Sequence, residues 1–285
     1  MLQRFLDPQV LSGISGLDLV AKTVVDGFVA GLHRSPDFGF SQEFAEYRMY
    51  TPGDDLRHVD WNVFARTEKM FLKRYRGETN TQLTILLDAS ASMGYGSHDV
   101  GKLDYAKYLA ASLAYLALQQ RDASGIIVFD DEVRHYVHPS GRQGQLHRVL
   151  HGIDQAQPGA RTDYEKPFHH FQSFLQRRGI VVVVSDFYAD PETVVKTIAP
   201  LRWHGNELVM FHLLDPQEIR PTITGPALLI DLETNEQLEV SPEYAAKEYA
   251  PKIDAHIAAL KTAAQGAGID NFLAPTDKPL DAVLR

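Results

Sequence analysis

The chain of 285 residues contains no cysteine. That removes disulfides, thiolate nucleophiles, iron–sulfur clusters and cysteine zinc sites together. It fits a reducing compartment, though absence of cysteine alone does not establish one. Long apolar runs are missing as well. The run Ile180 to Val184 is far below the roughly 20 residues that cross a bilayer. The start, MLQRFLDPQVLSG, places Asp7 and Pro8 where a signal peptide needs an apolar stretch. Positive charge is in deficit: 28 Lys and Arg stand against 37 Asp and Glu, a net charge of −9, which disfavours non-specific nucleic-acid binding. Gly and Pro are too few for a collagenous or low-complexity chain, and 44% hydrophobic with 23% charged residues is ordinary globular usage. The expectation is a soluble cytoplasmic protein without a transmembrane segment, at most peripheral to a membrane through its partners.

Along the chain two textures alternate. Leu17, Val20, Val24, Phe28 and Leu32 recur at helical spacing and predict a helix ending near Gly31. A charged stretch follows, with a turn at Pro52-Gly53, a short helix capped by Asp54 or Asp55, and a strand over 71–76. From residue 81 onward, continuous apolar runs at 81–88, 180–186 and 207–215 alternate with helical patterns at 102–120, 143–153, 164–177, 191–203 and 241–265. A strand pair is expected within 125–138, a hairpin around Thr234-Asn235, and a last strand at 269–273. Such alternation predicts a doubly wound α/β fold, its mostly parallel sheet covered by helices on both faces. The expected division is an N-terminal helical and extended segment, 1–80, followed by the sheet domain, 81–285.

Binding sites in sheets of this kind lie at the carboxyl ends of the strands. The first apolar strand ends in Asp88-Ala-Ser90-Ala-Ser92-Met-Gly, a D-x-S-x-S turn before a helix. Thr162 sits in a later loop, and Asp186 ends a second apolar strand. The doubly wound topology allows all three segments to meet at one edge. Two carboxylates and three hydroxyls are hard oxygen donors, which suit Mg²⁺, Mn²⁺ or Ca²⁺ better than Zn²⁺ or Cu²⁺.

This spacing resembles the metal-ion-dependent adhesion site of von Willebrand factor A-like domains. By that resemblance the metal ligands are Asp88, Ser90, Ser92, Thr162 and Asp186. The stretch Glu43 to Arg48, then Tyr50-x-Pro52-Gly53-Asp54-Asp55-Leu56-Arg57-x-x-Asp60-Trp61, Ala65-Arg66 and Glu78-Thr79, resembles the signature of the bacterial family catalogued as domain of unknown function 58. The resemblance implies a von Willebrand A-like fold and no established catalysis. It also implies work beside a MoxR-type AAA+ ATPase in assembly or chaperone-like tasks. The function expected is non-catalytic: divalent-metal-dependent binding of a protein partner that supplies an acidic ligand, the partner being that ATPase or its client.

Other readings of the same residues stay open. The D-x-S-x-S turn also suits simple loop capping. Asp88 as a phosphoryl acceptor would make the protein a Mg²⁺-dependent phosphatase or hydrolase, although Ser90 stands where a second carboxylate is wanted. A purely structural subunit is the third class. Arg48, Arg57 and Arg66 either pair with Glu46, Asp54, Asp55 and Asp60 in an internal ion-pair network, or Arg48, Asp54, Asp55, Arg57, Asp60 and Trp61 form a partner contact, and Met93, Gly94 and Tyr95 flank the metal turn as further contact candidates. Gly96 to Lys102 matches G-x4-G-K, but Leu103 replaces the Ser or Thr of a phosphate loop. His147 and His151 share a helical spacing without the Glu of a zinc motif and read as ordinary helix residues.

Overall fold

The computed structural model describes residues 17, 19–22, 24, 25, 44–50, 61–67, 69–75, 82–159, 165–175, 177–233 and 236–283. The chain divides into two units, one made of residues 1–34 and 81–285 and the other of Ser35–Asn80. In the smaller unit, strands β1 (Phe44–Met49) and β2 (Phe71–Tyr75) pair antiparallel, and a helix covers Trp61–Thr67. The expected helix cap at Asp54 or Asp55 lies outside the described residues. β1 was not expected from the sequence: FAEYRM alternates weakly and carries two charges.

The larger unit is built on β3 (Gln82–Asp88), β4 (Ala123–Phe129), β5 (Val133–Ser140), β6 (Ile180–Ser185), β7 (Glu207–Leu214) and β10 (Asp270–Pro275). Their order is β10-β7-β6-β3-β4-β5, all parallel except the antiparallel edge strand β5. This is the doubly wound α/β sheet that the alternation predicts. β8 (Ala227–Ile230) and β9 (Gln237–Val240) form a separate antiparallel hairpin.

Side chains of the central strands feed two cores by strict alternation. Leu83, Ile85 and Leu87 face one core, with Val20, Ala21 and Val24, the helix Lys102–Gln119 and the helix Gln145–Asp154. Leu86, Val181 and Val183 face the other, with Phe168 and Phe171 of the helix Glu165–Phe174, the helix Pro191–Ile198, and Leu260 and Ala264 of the helix Ala250–Gly266. Each such Val or Leu contributes about 1.5–3 kcal/mol by burial. Both faces are therefore covered, and continuous apolar runs are tolerated in the strands.

Two helices depart from the simple periodic reading at one end. The helix expected over 191–203 is α-helical only to Ile198 and tightens to 3₁₀ geometry over Ala199–Gly205, because Pro200 has no amide to donate to the preceding turn. The helix expected over 241–265 opens as Pro242–Tyr244 and widens to π geometry over Ala245–Tyr249, just before Pro251 withholds its own hydrogen bond.

The chain runs from β3 through the helix Lys102–Gln119 to β4, then crosses back to place β6 on the other side of β3. The crevice at the carboxyl ends of β3 and β6 is thus the topological switch point, where α/β sheets bind their ligands. Asp88 and Ser185 close those two strands.

Candidate metal and partner-binding edge

Asp88 is fully buried. Its Oδ1 accepts from the Ser90 amide at 2.8 Å, and its Oδ2 accepts from Ser185 Oγ at 2.6 Å. The first bond folds the D-x-S-x-S loop back over the strand end, and the second ties the ends of β3 and β6 together. The hydroxyls of Ser90 and Ser92 lie 3.1 Å apart, Ser90 buried and Ser92 half-buried toward the surface. Burial, and next the charge of Asp186, push the Asp88 carboxyl up to about 7, against the pull of the Ser185 and Ser90 hydrogen bonds. No cation relieves Asp88 among the described residues.

Asp186 is aimed by an unusual backbone. Phe187 has φ +49°, a left-handed conformation that is rare for a bulky residue, and it is fully buried. Its amide donates to Ser185 Oγ at 3.1 Å, and its carbonyl lies 3.1 Å from His256 Nε2. Ser185 therefore serves both sides, donating to Asp88 and accepting from the turn that carries Asp186.

The sequence reading missed the cation of this edge. Lys102 Nζ lies 2.8 Å from Asp186 Oδ2 and 2.6 Å from Glu218 Oε1, with its side chain wholly removed from solvent. Burial works against the ammonium, but Asp186 and Glu218 more than offset it and hold its pKa above the ordinary lysine value. From Glu218 the network continues to Asp215, whose amide donates to Glu218 Oε2 at 2.8 Å. The carboxylate of Asp215 accepts from the Ser97 amide at 2.8 Å, Ser97 Oγ at 2.5 Å and the Gln217 amide at 2.8 Å. His98 Nε2 reaches Thr276 Oγ1 at 3.0 Å. The loops after β3, β6, β7 and β10 are joined in this way along one edge.

The G-x4-G-K pattern has a structural explanation here. A side chain at Gly96 would meet the Gly101 backbone at 2.6 Å, so the two glycines form the neck of a loop whose ends cross. Lys102, which would face phosphate in a nucleotide loop, is committed to two carboxylates. His147 and His151 lie exposed on their helix. Among the described residues no three of His, Asp and Glu cluster as metal ligands. An ion at this edge would rest on the mixed set of carboxylates and hydroxyls.

Asp88, Ser90, Ser92 and Asp186 lie together at the switch point. Thr162 lies outside the described residues. Ahead of it, the Gly159 amide donates to the Ala89 carbonyl at 2.8 Å, and Pro158 lies against Gly94. Met93, expected as a contact residue, is fully buried in the core beneath the turn and supports it from below, because the loop turns its one long apolar side chain inward. Gly94 is exposed and Tyr95 half-buried. Of the charged stretch, Asp54, Asp55, Arg57 and Asp60 and the side chain of Arg48 lie outside the described residues. Trp61 is exposed and meets Phe64 edge-on at 6.0 Å.

The donor set fits a hard divalent cation. Lys102 pairs with Asp186 and Glu218 and leaves Asp88 without a cation among the described residues, and the paired hydroxyls of Ser90 and Ser92 add neutral oxygen. No helix of the described residues is long and apolar enough to cross a membrane.

Among solved structures, an aerotolerance-related membrane protein from Bacteroides fragilis is 14% identical, with a TM-score of 0.49 over 72% of this chain and 96% of that one. The conserved hypothetical protein BatB from Bacteroides thetaiotaomicron is 13% identical, with a TM-score of 0.45 over 68% and 90% of the two chains. An uncharacterised protein of Mycobacterium tuberculosis H37Rv is 28% identical over 278 residues, 95% of this chain and 86% of its own. The family model described as a protein of unknown function, DUF58, matches residues 46–258, and the chain belongs to that family.

Proposed function

We propose that the carboxyl edge of the sheet binds a divalent cation, Mg²⁺, Mn²⁺ or Ca²⁺, and presents it to an acidic side chain of a protein partner. Asp88, Ser90, Ser92 and Asp186 would hold the ion, with Thr162 as the fifth residue. The ion supplies a Lewis-acidic position that takes a carboxylate from outside. The chain itself performs no chemistry in this reading. It orients the ligands, through Ser185 and the Phe187 turn, and keeps them out of bulk water.

The observation that supports this most is the state of Asp88: buried, beside Asp186, and held by hydrogen bonds from Ser90 and Ser185 with no cation paired to it among the described residues. A buried carboxylate with a like-charged neighbour is costly unless a cation compensates it. A phosphoryl-accepting role finds less support, because Ser90 stands where a second carboxylate is wanted. The family resemblance makes a MoxR-type AAA+ ATPase, or its client, the partner to try first, in the cytoplasm.

Calorimetric titration of the full chain with Mg²⁺ tests the reading. Wild type binds one equivalent, and Asp88→Ala loses at least about a hundredfold in affinity, since one of two ionised ligands goes. Equal Mg²⁺ affinity in the two proteins overturns it. Partner binding that survives EDTA would mark the chain as a structural subunit instead.

A further inference from the structure

Lys102 stands in an unfavourable place for a lysine. It occupies the first position of the helix Lys102–Gln119, where the helix dipole disfavours a cation. It is also fully buried, which lysine tolerates almost only when paired. Helix stability does not account for it. Its environment does: carboxylates of Asp186 at 2.8 Å and Glu218 at 2.6 Å, and the ring of Tyr188 with its centroid 5.1 Å away. One oxygen of Asp186 is thus committed to a cation that the chain carries itself.

We infer that Lys102 is a tethered competitor for Asp186: the ammonium and a divalent ion draw on the same carboxylate, and the lysine keeps metal binding at this edge weak and exchangeable. This rests on the metal reading above. The lysine's ion pairs are with Asp186 and Glu218 and not with Asp88. The competition is therefore confined to Asp186, and Glu218 tunes it by holding the ammonium from the far side. A partner that displaces Glu218 or draws Lys102 away would release Asp186 to the ion, so that metal and partner would bind cooperatively.

The probe is Mg²⁺ alone, titrated calorimetrically into the full chain. Lys102→Met is expected to tighten binding at least about tenfold, because a unit positive charge beside the site is removed. Its unfolding midpoint in EDTA falls by several degrees, since two buried carboxylates lose their partner, and Mg²⁺ restores more of that loss than it adds to wild type. Glu218→Gln keeps the hydrogen bond to the Asp215 amide but drops a charge. It pushes the ammonium onto Asp186 and weakens Mg²⁺ binding, and this second variant carries the test if Lys102→Met does not fold. Unchanged or weaker binding in Lys102→Met, or tighter binding in Glu218→Gln, overturns the inference while wild-type binding leaves the metal reading intact. Binding by Lys102→Met and not by wild type supports the competition in its extreme form and ends the metal reading for the native chain. Binding by neither ends both.

Discussion

The carboxyl edge of the sheet and the β8–β9 hairpin reverse the usual arrangement of a globular protein in opposite senses. At the edge, Asp88, Lys102, Asp186 and Asp215 are buried to 1% exposure or less. On the hairpin, Leu228, Leu229, Ile230, Leu232 and Leu238 are 40–51% exposed. Buried charge survives only where each group has a partner, and the edge meets that condition link by link from Asp186 through Lys102 and Glu218 to Asp215 and Ser97. Exposed apolar groups need no partner, so these five side chains require no such links. The edge should therefore respond to single substitutions with large losses and the hairpin with small ones.

The largest stability effect in this comparison belongs to Asp215→Ala. Three donors, the Ser97 amide, Ser97 Oγ and the Gln217 amide, lose their acceptor at once. Hydrogen bonds to a charged group contribute about 1.5–3 kcal/mol each, and a helix cap is lost with them. A destabilisation of about 3 kcal/mol or more is expected in urea unfolding at pH 7. A loss below 1 kcal/mol would mean that the network does not act as a unit.

Next comes His212, in register with Ser185 on the neighbouring strand. Neither ring nitrogen makes a hydrogen bond of good geometry, although the Asp186 backbone lies close enough to act on the ring. Burial, and then the charge of nearby His256, lower its pKa to about 4. The unfolded chain takes this proton near pH 6.5, while the fold refuses it until about pH 4. Above pH 6.5 His212 adds no slope. As the pH falls from 6.5 toward 4 it removes stability, by about 3 kcal/mol in full. Asp88 tilts the other way without metal: its raised value favours the protonated fold, so stability falls as the pH rises from about 4 to 7. Comparison with a variant separates the two. His212→Leu should be at least as stable as wild type at pH 7 and lose the acid slope, and urea midpoints at pH 7, 5.5 and 4.5 check both. An unchanged slope would assign the acid sensitivity to other groups.

The same contrast explains what could be read from the sequence. Asp88, Ser90 and Ser92 share one turn, and Asp186 ends an apolar strand, so a local pattern and one topological rule bring them together. Lys102 and Asp186 are 84 residues apart, and Lys102 and Glu218 are 116 apart. No periodicity links them, and Lys102 carried the signal of a different motif. Ser185 was visible but silent, because a serine before an aspartate announces nothing until the register sets it opposite Asp88. Pro200 and Pro251 were legible as breakers, yet the apolar spacing around them is regular enough to hide the change of helix type. The hairpin was legible from its turn residues, while its exposure was not, because five Leu and Ile residues in so short a stretch read as core.

That exposure gives the smallest effect expected here. Leu228 and Ile230 share one face of the hairpin with Gln237 and Glu239, and Leu229 and Leu238 pair across the other. Among the described residues of the hairpin only Val240, at its base, is buried. Serine at both Leu228 and Ile230 removes apolar surface that water already reaches, so the expected change in urea midpoint corresponds to less than about 0.5 kcal/mol per residue. Hydroxyls there carry no desolvation cost, because the fold does not enclose them. A loss above 2 kcal/mol would show these side chains packed against something the isolated hairpin lacks, and the contrast with the carboxyl edge would then be one of partner and not of burial.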